Sequence, residues 1–416
     1  MYQRIFLSFL ASLLFTFSFA QQKTFTLKEL LSLSVQNHPA TKQKDYIKAL
    51  GQENEKLLKA SSYPELNVTE QSTFQSEVTQ LDIPGFSGPK KDNYNVGLDV
   101  RYPLTPFRML HIQKETEKAK TDLGLSQLDV ELQQVRERII NLYGDVLLQK
   151  ESKDVLSIRS SDLEAQRKKV AVGVANGAML KSNQLVFESE LLITDQKIAD
   201  IDAALLGLTQ QLSILTGTRI NPADNFQLPD DNVSNQVVTR PETKAFKAQA
   251  DLLDLEGEML KTENHPKVFL YGQGFYGRPG YNFLDNSFRT YGTVGLGMSL
   301  NINNLLTQSS HLKTINLNKQ ILSQKEETFN MNLQASLDPK KAEISKYENI
   351  ISKDEQILNN RKEIIRAANS QLENGVITST DYLTELNAEN NAQLNLTLHK
   401  VQLALAIAEY NTILGY

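Results

Sequence analysis

The sequence has no cysteine and no tryptophan among its 416 residues. The missing cysteines exclude disulfide bonds, thiolate metal sites, cysteine nucleophiles and a lipidated N-terminal cysteine. Beyond residue 20 there is also no run of about 18 apolar residues, the length that predicts a membrane-spanning helix. Aromatic residues make up only 7% of the chain, which favours long, polar-faced helices over several compact domains. Any attachment to a membrane must therefore come from the fold itself.

The charged residues give a formal net charge of −5 at pH 7 and form no basic stripe, which disfavours nucleic-acid binding. The five histidines never fall at metal-ligand spacing, and none lies in a recognisable catalytic pattern. The segment Gly272–Gly277 matches G-x-G-x-x-G, but Arg278-Pro279-Gly280 follows where a dinucleotide-binding helix would have to begin. We therefore expect no metal, no cofactor and no enzymatic activity.

Residues 1–20 have the layout of a cleavable secretory signal. Arg4 precedes an apolar run from Ile5 to Phe17, and small residues follow at Ser18 and Ala20. This layout predicts export from the cytoplasm, with cleavage near Ala20. The alternative is a membrane anchor, although the apolar run is shorter than the roughly 20 residues needed to span a bilayer.

Two similar turns, 198 residues apart, predict an internal duplication. Asn176-Gly177-Ala178 and Asn374-Gly375-Val376 each end a long helical pattern, and a hydroxyl residue, Ser182 or Thr380, is expected to open the next helix. Two matched helical turns in one chain indicate a repeated unit. The predicted division is a signal peptide at 1–20, a first repeat at 21–225 and a second at 226–416.

Each repeat contains a segment with the period of two that is typical of a strand. The first apolar face consists of Tyr94, Val96, Leu98, Val100 and Tyr102. The second, with Val294-Gly295-Leu296 repeating Val96-Gly97-Leu98, consists of Val294, Leu296, Met298, Leu300 and Ile302. The tyrosine ends and the length fit a membrane strand, while the alternative is a soluble sheet with one face on a core. In the strand at 268–277, Val268 and Leu270 compete with Phe269, Tyr271 and Phe275 for the lipid-facing side.

The remaining pattern is helical. A first helix over 24–61, opened by the capping-box pair Thr26 and Glu29 and interrupted at Asn37-His38-Pro39, precedes the first strand pair. A long helix from Pro106 to about Val174 returns as a shorter helix that ends at Gly217. Apolar residues at spacings of three and four indicate coiled-coil packing; they are Leu128, Leu132, Val135, Ile139, Leu142 and Val146.

The second repeat follows the same order, and its seam is a strict seven-residue repeat. A helix from Arg240 to about Glu263 leads through two strands to a long helix over 305–373, with Pro339 expected to kink it. The return helix ends at Gly415. The seam residues are Ile344, Ile351, Leu358, Ile365 and Leu372. The predicted fold class is mainly α with a β part, built from long antiparallel helical hairpins and four strands.

Taken together, these features resemble the TolC family of outer-membrane efflux proteins over nearly the whole mature chain. The residues that carry the resemblance, besides the two turns and Val294-Gly295-Leu296, are Phe25–Leu30, Asn37-His38-Pro39 and Thr239–Glu242 leading to Pro266. The resemblance implies a homotrimer in the outer membrane, in which four strands per chain form a shared β-barrel and the helices form a periplasmic tunnel.

The resemblance also implies partners and candidate sites. The loops at 71–92 and 277–290 would face outside, and the helical turns would contact a periplasmic adaptor protein that works with an inner-membrane transporter. Asp381 falls at the first acidic position of the family's periplasmic constriction. The second position is Thr384 here, with Glu385 displaced by one residue. An ordinary helix N-terminal acid is the competing interpretation of Asp381.

Two function classes follow from the sequence. The first is the exit duct of a tripartite efflux or type I secretion system, through which small molecules or proteins pass passively. The second is a secreted or periplasmic coiled-coil scaffold without channel activity. Strand alternation with tyrosine ends favours the duct.

Overall fold

The computed structural model describes residues 22–79, 88–104, 107–229, 232–233 and 237–416. The signal sequence predicted at 1–20 lies outside these ranges. The described chain contains six strands and seven helices. The strands are β1 (Thr24–Phe25), β2 (Glu65–Phe74), β3 (Asp92–Pro103), β4 (Asn225–Phe226), β5 (Lys267–Arg278) and β6 (Arg289–Ser299). The helices are α1 (Leu27–Asn37), α2 (Pro39–Ala60), α3 (Phe107–Ala175), α4 (Lys181–Thr216), α5 (Pro241–Glu263), α6 (Ile302–Glu373) and α7 (Ser379–Leu414).

The order of elements repeats within the chain, as the two turns predicted. A helix, two strands, a helix of about 70 residues and a helix of 36 residues occur twice, as α2-β2-β3-α3-α4 and α5-β5-β6-α6-α7. The predicted break at His38 is confirmed, because α1 ends one residue before it and Pro39 starts α2. The Thr26 hydroxyl accepts from the Glu29 amide and caps α1.

Contacts divide the chain into two compact units, and each unit draws on both repeats. The first consists of the described residues within Met1–Lys42, Asp129–Pro241 and Phe329–Tyr416, and the second of those within Gln43–Leu128 and Glu242–Thr328. The long helices α3 and α6 contribute one part to each unit. α6 continues through Pro339 as one helix.

The first unit holds an apolar core around the N-terminal segment. Tyr143 is fully buried, and its hydroxyl lies 3.0 Å from the carbonyl oxygen of Phe25 and 2.5 Å from that of Gln227. It thereby contacts both chain segments at the C-terminal end of the small parallel pair β1–β4, which no sequence pattern predicted. The predicted α3 seam enters this core, where Ile139 and Val146 are completely buried.

The second unit holds the four-stranded antiparallel sheet, in the order β2-β3-β5-β6. Its helices also approach closely, since a Cβ on Gly51 would lie 2.3 Å from the Thr121 hydroxyl oxygen. Asn54 of α2 donates to Glu117 of α3 at 3.0 Å. Within this unit, α2 and the first part of α3 therefore pack tightly side by side.

Two boundaries predicted from sequence are wrong. β2 extends to Phe74 instead of giving way to a loop at residue 71, because all ten of its residues pair with β3. β6 ends at Ser299, so Leu300 lies beyond the strand and Ile302 begins α6. The apolar residues that continue past Ser299 belong to the start of a helix, and an alternating pattern alone could not mark that change.

One helix is more apolar than the sequence analysis allowed. By length and composition α4 is the one described helix that could cross a membrane, although few residues of its apolar stretch are buried. Its apolar residues lie on two faces: Phe187, Leu205 and Leu212 are buried, whereas Leu185, Leu192 and Leu206 are exposed at multiples of seven residues. Two apolar faces on one helix raise its hydrophobicity without making it a membrane span.

Candidate functional site

One face of the four-stranded sheet is apolar and exposed. Residues paired directly across an antiparallel ladder point to the same side, so the pairing of Tyr102 with Leu270 and of Leu270 with Leu296 joins three strands on one face. Eight of the residues predicted for this face lie on it, and they are largely exposed. They are Tyr94, Val96, Leu98, Val100, Tyr102, Val294, Leu296 and Met298. Leu300 was also predicted for it but lies outside the strand.

The register of β5, which the sequence left open, is clear in the sheet. Val268 and Leu270 pair with Met298 and Leu296 and therefore belong to the apolar face. Phe269, Tyr271 and Phe275 point to the opposite side, because they alternate with those residues. Sequence reasoning failed here because both sets are apolar.

β2 adds residues to the apolar face that sequence reasoning missed. Leu66, Val68 and Phe74 pair with Val100, Leu98 and Asp92, and Val68 is 78% exposed. The signal was present as alternation from Leu66, but polar Glu70 and Ser72 occupy the same face and weaken it. The apolar face therefore extends over all four strands.

The opposite face is polar and carries aromatic side chains over glycines. Gln273 donates to the Asp99 carboxylate across the β3–β5 pair. The Tyr271 ring covers Gly295, where a Cβ would lie 2.6 Å from the tyrosine oxygen, and Phe269 covers Gly297 in the same way. We refer to these two sides as the apolar face and the polar face. Their contrast is the one expected of a sheet between lipid and water.

The two outer strands of the sheet, β2 and β6, have unpaired edges. In the described chain β2 pairs only with β3, and β6 pairs only with β5. Each outer strand therefore presents a row of backbone donors and acceptors on its free side. An exposed apolar face with two open edges is an incomplete structure for one chain in lipid.

The two predicted turns have the same hydrogen-bond pattern. Gly177 and Gly375 adopt left-handed φ values of 77° and 69°. The amide of Val376 donates to the Gln371 carbonyl at 2.8 Å, and the Gly375 amide donates to the Leu372 carbonyl at 3.1 Å. The turn at Asn176-Gly177-Ala178 repeats both bonds. Each turn is thus a Schellman C-cap, for which glycine is the favoured residue.

Asp381 caps the helix that follows the second turn. Its backbone amide donates to the Thr378 hydroxyl oxygen at 3.2 Å, and its carboxylate accepts from the Thr378 amide at 2.9 Å and the Thr378 hydroxyl at 2.7 Å. These two hydrogen bonds, first the hydroxyl and then the amide, hold the pKa of Asp381 below its ordinary value. This capping box confirms that Asp381 acts as a helix N-terminal acid.

The residues predicted to begin the two return helices, α4 and α7, are both wrong, because neither is the N-cap residue. α7 is capped by Thr378, two residues before the predicted Thr380, because only Thr378 lies three residues before an acidic partner. α4 begins after Leu180 and has no side-chain cap, so Ser182 does not open it. The two turns therefore share a backbone but differ in how the next helix starts.

The other two residues of the predicted constriction have local partners. The Thr384 hydroxyl donates to the carbonyl of Thr380 at 3.0 Å. Glu385 accepts from Arg361 of α6 at 3.1 Å, and both side chains are about one-third exposed. Asp381 and Thr384 are exposed. Of the three residues, Glu385 is the one whose side chain joins two helices, α6 and α7.

A packed cluster joins the two helical hairpins near their turns. Leu163 and Val170 of α3, Phe187 of α4, Leu372 of α6 and Leu383 of α7 belong to one buried apolar group. Polar contacts surround it. They are Gln166 with Asn369 at 2.8 Å, Lys169 with Glu373 at 3.0 Å, and Arg159 with Glu190 at 2.7 Å and with Asn387 at 2.6 Å.

Two acids near this cluster have raised pKa values. Burial raises the pKa of Glu389 of α7, and the charge of Asp162 of α3 adds to that shift while Lys362 opposes it. Burial also raises the pKa of Asp162. The two hairpins therefore meet across carboxyl groups whose ionised forms are less favourable than they are in water.

Within the described ranges, no group of three or more histidine, aspartate or glutamate side chains could hold a metal ion. Gly272–Gly277, which matches the dinucleotide fingerprint, lies entirely within β5. Its third glycine is required by close packing, because a Cβ there would lie 2.2 Å from the Tyr94 carbonyl oxygen.

Comparison with solved structures identifies the fold. The chain superposes on the outer-membrane protein VceC of Vibrio cholerae with a TM-score of 0.70 at 14% identity, covering 93% of this chain and 95% of VceC. It matches CusC with a TM-score of 0.73 at 14% identity over 93% of this chain and 91% of the other. The open-state outer-membrane channel MtrE of Neisseria gonorrhoeae gives 0.67 at 15% identity over 94% and 88%.

No protein-family model and no curated protein matches the sequence. The fold is nevertheless that of outer-membrane channel structures over nearly the full chain. The mainly helical fold class with a few antiparallel strands, predicted from sequence, is therefore confirmed.

Proposed function

We propose that this protein is an outer-membrane channel whose helices extend into the periplasm and which serves as the exit duct of an efflux system. The observation that carries the proposal is the sheet, with an apolar face exposed on four strands and charged and amide side chains on the other face. We assign the apolar face to outer-membrane lipid and the polar face to a water-filled lumen. The fold likeness to solved channels supports this assignment.

Assembly follows from the open edges of the sheet. Four strands are too few for a closed bacterial membrane barrel, which needs about eight. Unpaired backbone groups in lipid cost several kcal/mol each, so several copies must share their strands. We infer a homotrimer, as the family resemblance implies, with each chain organised as the repeats 21–225 and 226–416.

The turn end of the hairpins is the proposed site of partner contact and of closure. Asn176, Gly177, Ala178, Asn374, Gly375 and Val376 would contact a periplasmic adaptor that connects the duct to an inner-membrane transporter. Val376, which is exposed at the tip of its turn, would take part in this contact. Asp381, with Thr384 and Glu385, would line the constriction in each of the three copies.

Within this proposal, the duct serves a tripartite efflux or type I secretion system, and the pump selects the cargo. The second candidate function is a periplasmic coiled-coil scaffold. The long hairpins fit both functions, but the exposed apolar face on all four strands favours the duct, because a soluble scaffold would need a partner to cover it.

Membrane fractionation and bilayer recordings test the proposal. We expect the protein in the outer-membrane fraction, migrating as a heat-modifiable trimer, and producing discrete conductance steps in a planar bilayer. A matched variant, Val96→Glu, places a charge on the apolar face and should reduce membrane recovery, whereas Val376→Glu at the turn should not. Recovery of the wild-type protein as a soluble monomer would contradict the duct and favour the scaffold.

A further inference from the structure

A cavity opens on the polar face where the sheet meets the helices of its own unit. It has a volume of about 320 Å³, within the range of small-molecule sites. Its apolar wall includes Met109 and Phe269, and its charged wall includes Glu65, Arg101 and Lys267. A wider groove of about 660 Å³ continues from it along the polar face and shares Glu65, Arg101 and Phe269.

Arg101 is the central charged group of this site. Its guanidinium carbon lies 3.8 Å from the centre of the Phe269 ring, so one face of the guanidinium is fixed against an aromatic surface. In the part of the chain that the structure describes, no carboxylate forms an ion pair with Arg101 or with Lys267. The planar donors of the arginine are therefore available to a ligand carboxylate.

The charge balance of the cavity depends on Glu65. It is the direct cross-strand partner of Arg101, yet the two side chains form no ion pair among the described contacts. Two cations and one carboxylate line the cavity, with His265 contacting the Thr262 carbonyl through Nδ1 at 3.0 Å. The net positive charge beside an aromatic wall favours an anion that carries an apolar ring.

We propose that this cavity is a binding site for amphipathic aromatic anions, with the ligand's carboxylate on Arg101 and its ring against Phe269 and Met109. The inference rests on the proposed function, because it takes the bound anion to be a molecule that passes through the lumen of the duct. It adds a point of chemical selectivity within the duct itself, so the duct would contribute to the choice of cargo instead of leaving it to the pump.

Ring-matched probes test the charge preference. Purified full-length protein in detergent is titrated with 1-naphthoate, 1-naphthalenemethanol and 1-naphthylmethylamine, and binding is followed by the fluorescence of the ring. We expect naphthoate to bind most tightly and the amine most weakly. Equal affinity for the three probes would overturn the proposal.

Three variants and one control locate the site. Arg101→Gln should weaken naphthoate binding roughly tenfold, since a charge-assisted hydrogen bond is lost, and should leave the alcohol unchanged. Phe269→Leu should weaken both probes. Glu65→Gln should tighten naphthoate roughly threefold, because a nearby like charge is removed. Arg289→Gln, which removes a charge from the far end of the polar face, is the control.

Two outcomes contradict the inference. In the first, Arg289→Gln lowers the affinity for naphthoate as much as Arg101→Gln does. In the second, Glu65→Gln weakens naphthoate binding. Conductance of the same preparations separates the two proposals. Discrete conductance without selective binding removes this site and leaves the duct in place. Selective binding without conductance removes the duct.

Discussion

The Nε2 amide of Gln166 donates to the hydroxyl of Tyr382 at 3.2 Å, joining the first hairpin to the first turn of α7. Tyr382 is 4% exposed, and burial raises the pKa of its phenol. The same amide nitrogen also lies 2.8 Å from Asn369. One side chain thus contacts both helices of the second hairpin.

Tyr382→Phe should weaken this junction. The phenol oxygen is lost while the ring remains beside Phe187 at a centroid distance of 6.3 Å, so the change isolates the hydrogen bond. We expect a loss of about 1 kcal/mol in the free energy of unfolding, seen as a lower Tm of the detergent-solubilised protein. The control is Tyr46→Phe, whose side chain is exposed. An unchanged Tm for Tyr382→Phe would show that the hydroxyl adds nothing to the junction.

Two substitutions at the start of α7 separate capping from closure. Thr378→Ala removes the cap and should cost about 1 kcal/mol of stability, but it retains the Asp381 carboxylate. If three such carboxylates narrow the duct, Asp381→Ala should raise single-channel conductance and detergent sensitivity, and Thr378→Ala should leave conductance unchanged. Equal conductance changes in the two variants would assign Asp381 to helix capping alone.

The pH dependence of stability should report the raised pKa of Glu389. A carboxyl whose pKa is higher in the folded state than in the unfolded state holds its proton more firmly when folded. Folding is therefore favoured increasingly as the pH falls toward the raised pKa, and stability is lost as the pH rises through it. Glu389→Gln should raise the Tm at pH 7 and flatten its dependence on pH between neutral and mildly acidic conditions.

The matched control for that experiment is Glu348→Gln, at an exposed position of α6. The control should follow the wild-type pH profile. If Glu348→Gln flattened the profile as much as Glu389→Gln, the pH dependence would come from net charge and not from the interface between the hairpins.

Gly295 should be intolerant of larger side chains because Tyr271 covers it. Gly295→Val should destabilise the sheet by roughly 1–3 kcal/mol through overpacking, measured as loss of the heat-modifiable form at lower temperature. The second change Tyr271→Ala removes the obstructing ring and should restore part of the loss. Gly274→Ala is the control, since a Cβ there meets nothing within 4 Å. A double variant less stable than Gly295→Val would contradict this explanation.

Most of the fold was accessible from sequence because its helices carry long, regular patterns. The seam residues Ile139, Val146, Ile344 and Leu358 are all buried, and both turns contain the glycine that a left-handed C-cap favours. A long periodic segment repeats the same apolar spacing many times, so its secondary structure can be predicted from the sequence alone.

The features that sequence missed depend on partners distant in the chain. The register of β5 was undecidable because both of its faces are apolar, and only pairing with β3 and β6 distinguishes them. The contact of Tyr143 with the carbonyl of Phe25 joins residues 118 positions apart. The cap of α7 was misplaced by two residues because several hydroxyl residues stand in a row, and only geometry selects Thr378.

If the sheet forms part of the proposed membrane barrel, the free edges of β2 and β6 make folding and assembly a single concentration-dependent event. A chain that reaches the membrane alone cannot satisfy its backbone there, so its insertion must wait for other copies. One damaged edge strand then disables every complex it enters. If a fraction f of the chains has intact edge strands, the fraction of complexes built only from intact chains is f raised to the power of the number of copies. Co-expressing intact and edge-damaged chains at known ratios would therefore count the subunits through dominant interference.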